Sequence, residues 1–318
     1  MKSLGKPSVE LWEKVVQECE YATFFHTPTW ARIIENSMPA YQVGTRAYEL
    51  EDGTCAILPL MASGQAHRKR YHSMVPGVYG GPIAKRKLTS AEVVEIFSGL
   101  HRFNVRRIDV TGNPLFIYDL PANYECREDF THILRLDATF DSVWRGFTKG
   151  HKSSARKAER MGVHISLAQS LDDFKEYYRV YEDSLRRWAD RATSRYEFDL
   201  FQNIFNENCS DIKLWLASVT GKVIAGALVL YVKEHIAWWH GASLEEYFEY
   251  CAPNLLNVEI MKDGCKRGYL YYDFNPSGGH KGVARFKQSF GAEKRRIPRW
   301  RWKFDIVDIV KSIPKGWA

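Results

Sequence analysis

Two segments of this 318-residue chain, about 170 residues apart, repeat one outline, and that repeat limits the possible folds more than any other feature. In the first, a polar turn at Glu51-Asp52-Gly53 enters the apolar run 55–61, and after a polar stretch a second run ends in Val78-Tyr-Gly-Gly-Pro-Ile83. In the second, the turn Thr220-Gly221-Lys222 enters the run 223–232, Lys233-Glu234 breaks it, and Ile236-Ala-Trp-Trp-His-Gly241 follows. Each predicts a hairpin of two mostly buried strands. With 45% hydrophobic residues the chain can fill two ordinary cores, so the matched order predicts a duplicated domain.

Helices and strands flank these hairpins. Helical apolar spacing covers 10–19 and 29–36, and Thr89-Ser90 can cap a helix running to Leu100. Arg107-Ile-Asp-Val110 reads as a strand stopped by Thr111-Gly-Asn-Pro114. Later, 141–161 and 171–188 read as helices and 214–218 as a strand. The stretch 253–266 reads as a helix with Pro253 in its first turn and Gly268 beyond its end, and 269–274 as a buried strand. The expected class is α/β with mixed (α+β) sheets. No heptads persist, so no coiled-coil arm is expected.

No signal-peptide arrangement and no apolar run long enough to cross a bilayer are found, which predicts a cytoplasmic protein. The six cysteines form no CxxC pair and no Cys/His cluster, so neither a structural metal nor a disulfide framework is expected, and they read as buried small hydrophobes. Charge is uneven: 1–150 holds 18 Lys+Arg against 17 Asp+Glu, and 151–318 holds 27 against 21. Between Lys281 and Lys303 nine cations meet one anion, Glu293, which fits a phosphate-bearing partner or, equally simply, a solvated basic surface. Lys149, Lys152, Arg156 and Arg160 share one helix face and could hold RNA phosphates without reading sequence, or, with Glu159 beside them, form an ordinary solvated face. Trp300, Trp302 and Trp317, interleaved with cations, fit either lipid headgroups or packing on the first domain.

The stretch Tyr271 to Lys294, YYDFNPSGGHKGVARFKQSFGAEK, carries the strongest signal. A strand ending in Y-D-F, a Gly-Gly loop and F-K-x-x-F-G resemble the end of the second domain in the FemAB peptidoglycan-bridge aminoacyltransferases of the GNAT superfamily. Ala252-Pro-Asn-Leu-Leu256, Arg156-Lys-Ala-Glu-Arg-Met-Gly-Val163 and Gly80-Gly-Pro82 agree with that family. The resemblance implies two fused GNAT-like domains, here 1–135 and 136–297, with 298–318 returning to the first. It implies no bound cofactor. The implied partners are an aminoacyl-tRNA donor and an amine acceptor on a muropeptide or lipid-linked wall precursor, with peripheral contact at the inner membrane face.

By the same resemblance, Lys287 beside Phe286 faces the reacting carbonyl, where an ammonium suits a developing oxyanion, or the terminal nucleotide's phosphate; a surface cation beside a core phenylalanine is the alternative. An attacking amine with a pKa of about 10.4 must lose a proton. Asp109 matches a first-domain aspartate that is a candidate base, although Val110 stands where a proline is usual; capping the Thr111-Gly112 turn is its alternative role. Arg187 and Tyr196 correspond to acceptor-binding positions, and Arg geometry suits phosphate. Tyr79, Gly81, Asn254, Arg285 and Phe290 fall in the matching stretches, and His240 and Asp273 fall at expected strand ends, where structural roles compete with binding ones. The family's lysine four residues after an N-terminal tryptophan is Ile34 here, after Trp30, which leaves the acceptor open.

Two other readings remain. An acyl-CoA-dependent GNAT enzyme holds pyrophosphate on a Q/R-x-x-G-x-G/A loop. Between His240 and Asn254 that pattern is absent and Glu245, Glu246 and Glu249 stand instead. A non-catalytic module that binds tRNA or a membrane surface is the third.

Overall fold

The protein is described from a computed structural model, which covers residues 1–304 apart from 66–68, 76–77, 102–104, 137–138 and 193–194; Trp317 lies outside the described residues. The chain forms two units, Phe130–Arg295 and a first unit of Met1–Asp129 completed by the segment from Arg296. The divisions therefore fall six residues before and two before the positions expected. Phe130–Arg135 is a strand of the second unit's sheet, because it pairs antiparallel with Tyr271–Asp273.

The first unit has two sheets. One orders the strands Lys2–Gly5, Arg46–Glu49, Cys55–Leu58 and Ile83–Ala84. The other orders Tyr41–Val43, Met61–Ser63, Lys69–Ser73, Val105–Thr111, Arg299–Lys303 and Glu125–Arg127. The apolar run 55–61 is thus divided between the sheets at Pro59, which has no N–H to give to a ladder. Helices Val9–Glu18, Pro28–Ser37 and Ser90–Leu100 lie where periodicity placed them. Thr89 caps the last of these by accepting from the Glu92 N–H while the Glu92 carboxylate accepts from the Thr89 N–H, a reciprocal box worth about 1 kcal/mol. The core holds Trp30, Phe25, Tyr79, Phe97 and Ile108.

In the second unit one seven-stranded sheet orders His164–Leu167, Ile212–Val219, Lys222–Val232, His235–Ser243, Tyr271–Asp273, Phe130–Arg135 and Glu293–Arg296. With no proline inside it, 222–232 stays one 11-residue strand and pairs with His235–Ser243 across the Lys233-Glu234 turn. The His235–Ser243 and Tyr271–Asp273 pair is parallel. The helix expected over 141–161 is two, Phe140–Gly146 and Lys149–Arg160, because Thr148 stops one and caps the other by accepting from the His151 N–H. Helix Ala252–Lys266 buries Leu255, Leu256, Ile260 and Met261 against the sheet. The longest helix, Leu171–Trp188, has 18 residues, and among the described residues there is no coiled-coil arm.

One expectation needs correction, and one open choice is decided. Of the six free cysteines only Cys19 is buried, and Cys126 is exposed, since it lies on the edge strand Glu125–Arg127. Trp300 and Trp302 are not presented to lipid: both are buried, stacked on Tyr118 at 5.1 Å and on His101 at 4.2 Å. No helix among the described residues is long and apolar enough to cross a membrane.

Candidate functional site

The Y-D-F strand end, the loop after it and the helix Lys281–Gln288 build one buried polar arrangement in the second unit. Asp273 is fully enclosed. Its Oδ1 accepts from the Thr131 hydroxyl at 2.8 Å and from the Asn275 N–H at 2.8 Å, and its Oδ2 lies 3.2 Å from His235 Nε2. The Asn275 N–H bond bends the chain into a left-handed turn at Asn275, φ 58°. The carbonyls of Asn275 and Pro276 then accept from Lys287 Nζ at 2.6 and 3.2 Å. Lys287 is only 6% exposed, and charge-assisted bonds to two carbonyls offset the cost of enclosing its ammonium.

Around this ammonium several buried polar atoms lack a hydrogen-bond partner: both ring nitrogens of His132, both amide atoms of Asn275, and Ser277 Oγ. Native interiors pair such groups with protein, water or ligand. His132 is held neutral, its pKa lowered by burial and then by the charges of Lys287 and Lys294. Phe286 packs between His151, at 4.9 Å, and the fully buried Phe290, at 5.1 Å, which fixes the helix that carries Lys287; Arg285 is exposed on that helix.

Tyr196 and His240 meet in a second place, and Arg187 is held at the end of the strand that carries His240. The Arg187 guanidinium donates to the Ser243 carbonyl and to Ser184 Oγ, pairs with Asp183 at 3.3 Å, and lies 4.7 Å over the Phe248 ring. The ladder between Lys222–Val232 and His235–Ser243 shifts register after Leu228, so that Trp239 is the extra residue of a bulge. His240 next to it sits among Tyr177, Tyr181, Tyr196, Phe201 and Trp239. Burial pushes its pKa down to about 3, and its Nδ1 is 2.6 Å from the Tyr177 hydroxyl. Asn254 is buried in the first turn of Ala252–Lys266.

In the first unit Asp109 lies between two guanidiniums. Arg107 reaches it through Nε at 2.5 Å and a terminal nitrogen at 2.9 Å, Arg301 through Nε at 2.8 Å, and His72 Nδ1 is 3.7 Å away. Burial pushes the Asp109 pKa up, but the bonds from Arg107 and Arg301 pull it further down, so it lies below the usual carboxylate range. A cavity of about 410 Å³ opens beside these groups. Tyr79 and Gly81 are inside the fold. Gly81 has φ 102°, gives its N–H to Ser73 Oγ, and a Cβ there would lie 2.1 Å from the Tyr118 hydroxyl.

Sequence reasoning missed Thr131, His132 and His235 around Asp273, and Arg107, Arg301 and His72 around Asp109. They lie on strands, but nothing in a linear pattern tells which strands become neighbours. Among the described residues no group of three or more His, Cys, Asp or Glu could hold a metal ion.

Residues 145–288 match the family model of the acetyltransferase (GNAT) domain. No curated protein sequence matches the chain. Among solved structures, FemX superposes with a TM-score of 0.73 at 12% identity, over 98% of this chain and 100% of that one. The C-terminal domain of a proposed lysylphosphatidylglycerol synthetase from Agrobacterium fabrum gives 0.61 at 13% identity, over 96% and 93%. A tandem GNAT protein from the clavulanic acid biosynthesis pathway gives 0.57 at 11% identity, over 95% and 97%. Residues 145–288 thus carry a GNAT-type acyltransferase domain, and the chain has the fold of FemX over nearly its full length.

Proposed function

We propose that the protein transfers an aminoacyl group from aminoacyl-tRNA to an amine, on a peptidoglycan precursor peptide or a lipid-linked wall precursor met at the inner membrane face. The observation that carries the choice of donor is the helix Lys149–Arg160. Its five cations, Lys149, Lys152, Arg156, Lys157 and Arg160, form no salt bridge with any described carboxylate; Lys152 donates to the Arg145 carbonyl and Arg156 lies over Trp144. On Leu171–Trp188 in the same unit, by contrast, Lys175, Arg179, Arg186 and Arg187 each pair with a carboxylate three or four residues away. Although Glu159 lies on the same helix, a row of cations that no carboxylate of the described residues pairs is suited to external phosphates. Ahead of helix Ala252–Lys266, where a CoA enzyme receives pyrophosphate, three exposed glutamates stand instead: Glu245, Glu246 and Glu249. FemX and the lysylphosphatidylglycerol synthetase domain share this fold, which supports aminoacyl transfer over acetyl transfer.

In this reading the acceptor nitrogen attacks the ester carbonyl carbon and the carbonyl oxygen takes negative charge beside the Lys287 ammonium. The bond to the tRNA ribose oxygen breaks, and the extra proton of the nitrogen ends on that departing hydroxyl. The unpaired polar atoms of Asn275, Ser277 and His132 are where the acyl group finds partners. Incubation with tRNA charged with labelled amino acids and a panel of nucleotide-linked and lipid-linked precursors should give a labelled amide identifiable by mass. Turnover with acetyl-CoA and none with charged tRNA overturns the reading, as does calorimetric acetyl-CoA binding in the micromolar range. Arg156→Glu with Arg160→Glu should weaken tRNA retention on filters and make its salt dependence shallower, by about one per cation removed.

A further inference from the structure

We propose that the cavity of the first unit is a binding site for a phosphorylated small molecule, built from arginines that Asp109 holds in place rather than from Asp109 as a base. It stands apart from the donor reading, because its residues and its test are independent of acyl transfer.

The argument starts from strand register. Across the sheet, Asp109 is level with His72 and Arg301, Arg301 with Glu125, and Arg299 with both Thr111 and Arg127. Side chains level on neighbouring strands share a face. The alternate residues Ile108, Val110, Trp300 and Trp302 are buried on the opposite face. One face therefore gathers Arg107, Arg127, Arg299 and Arg301 around a cavity of about 410 Å³, with Asp109 and Glu125 as its carboxylates. That volume is in the range of small-molecule sites, roughly 300–1,000 Å³.

Four guanidiniums on one wall repel one another unless anions lie between them. Asp109 answers part of this by accepting three N–H bonds, two from Arg107 and one from Arg301. Asp129 takes a terminal nitrogen of Arg299 at 2.7 Å. Donors still remain. Arg299 Nε is buried without a partner, and the Arg127 guanidinium pairs with no described carboxylate. Each guanidinium has five donors in a planar fork that matches phosphate oxygens. Apolar lining comes from Met74 and Cys126 and from the strand backbone at Val110 and Trp300, whose side chains turn to the other face, which suits an organic portion attached to the phosphate. A carboxylate already committed to two guanidiniums, with a lowered pKa, is a weak proton acceptor but a firm anchor.

Nucleotide-linked molecules and phospholipid headgroups both present this chemistry. The test is calorimetric titration of the whole protein with inorganic pyrophosphate at fixed ionic strength. Arg301→Ala and Arg127→Ala should each weaken binding about tenfold or more, and Arg301→Lys, which keeps charge but loses the fork, should fall between. Arg179→Ala in the other unit, where Arg179 is paired with Glu176, should change little, and thermal melts establish that each variant is folded. A nucleoside diphosphate that competes with pyrophosphate assigns the soluble source. Flotation with phosphatidylglycerol vesicles that is lost in Arg301→Ala, without nucleotide competition, assigns the lipid source. Equal pyrophosphate affinity in wild type, Arg127→Ala and Arg301→Ala overturns the site, as does an equal loss in Arg179→Ala.

Discussion

In the first unit the parallel strands Lys69–Ser73 and Val105–Thr111 set Asp109 beside His72; in the second the parallel strands His235–Ser243 and Tyr271–Asp273 set Asp273 beside His235. The same pairing of residue types on the same kind of strand pair serves different ends. Asp109 opens on a cavity and is neutralised by two guanidiniums that retain other donors. Asp273 is closed off among a hydroxyl, a backbone N–H and an imidazole, and its product is a bent backbone whose carbonyls hold Lys287. A carboxylate near water can organise charges for a ligand, whereas one without water can only organise its own chain.

The strongest way to sharpen this contrast is Lys287→Ala. Transfer should fall about 10²- to 10³-fold, the loss typical of a removed oxyanion donor, while filter-bound tRNA changes little. An unchanged rate would show that the enclosed ammonium is only structural. Next is Asp273→Ala, which strands the Thr131 hydroxyl, the Asn275 N–H and His235. Urea denaturation should show a cost of about 3 kcal/mol. A loss no greater than that of Asp109→Asn would erase the distinction drawn here.

Acid offers a third comparison. His72 and His101 in the first unit, and His132, His151 and His240 in the second, have pKa values lowered first of all by burial, His240 to about 3. Unfolded histidine titrates at about 6.5, so below that pH the unfolded chain binds more protons than the folded one. The stability these rings contribute is complete above about pH 6.5 and is lost as pH falls toward their folded values. Urea midpoints should therefore drop between pH 6.5 and 4, and less steeply in His240→Phe; a flat profile would contradict the burial of these rings. The smallest expected effect is Asp109→Asn, under about 1 kcal/mol because its pairs are partly solvated. Its stabilising charge persists above about pH 3.9 and is lost only as pH falls through its lowered folded pKa.

Much of the fold could be read in advance, for local reasons. Apolar runs, the Lys233-Glu234 break, the Thr89 cap and Pro253 mark elements by chemistry that acts within a few residues. The split at Pro59 and the second start at Thr148 were written there too, but their effect depends on which sheet each flank joins. Of the site residues, Lys287 with Phe286 and Phe290, and Tyr196 with His240, come together in space, while Arg187 is held at Ser243 at the end of the His240 strand. Tyr79 and Gly81 share the same kind of motif yet lie inside the first unit, because a Gly-Gly pair marks close backbone approach without saying what approaches.

From residue order alone follow the duplicated α/β plan, the Asn275-Pro-Ser-Gly-Gly279 loop and the cationic face of the helix after Thr148, since strand and helix periods act over short spans. Only the tertiary structure decided that Arg301 meets Asp109 across 192 positions, and that Asp273 meets Thr131 across 142. Those meetings are set by strand order and register, and a shift of one residue would turn each side chain to the opposite face of its sheet.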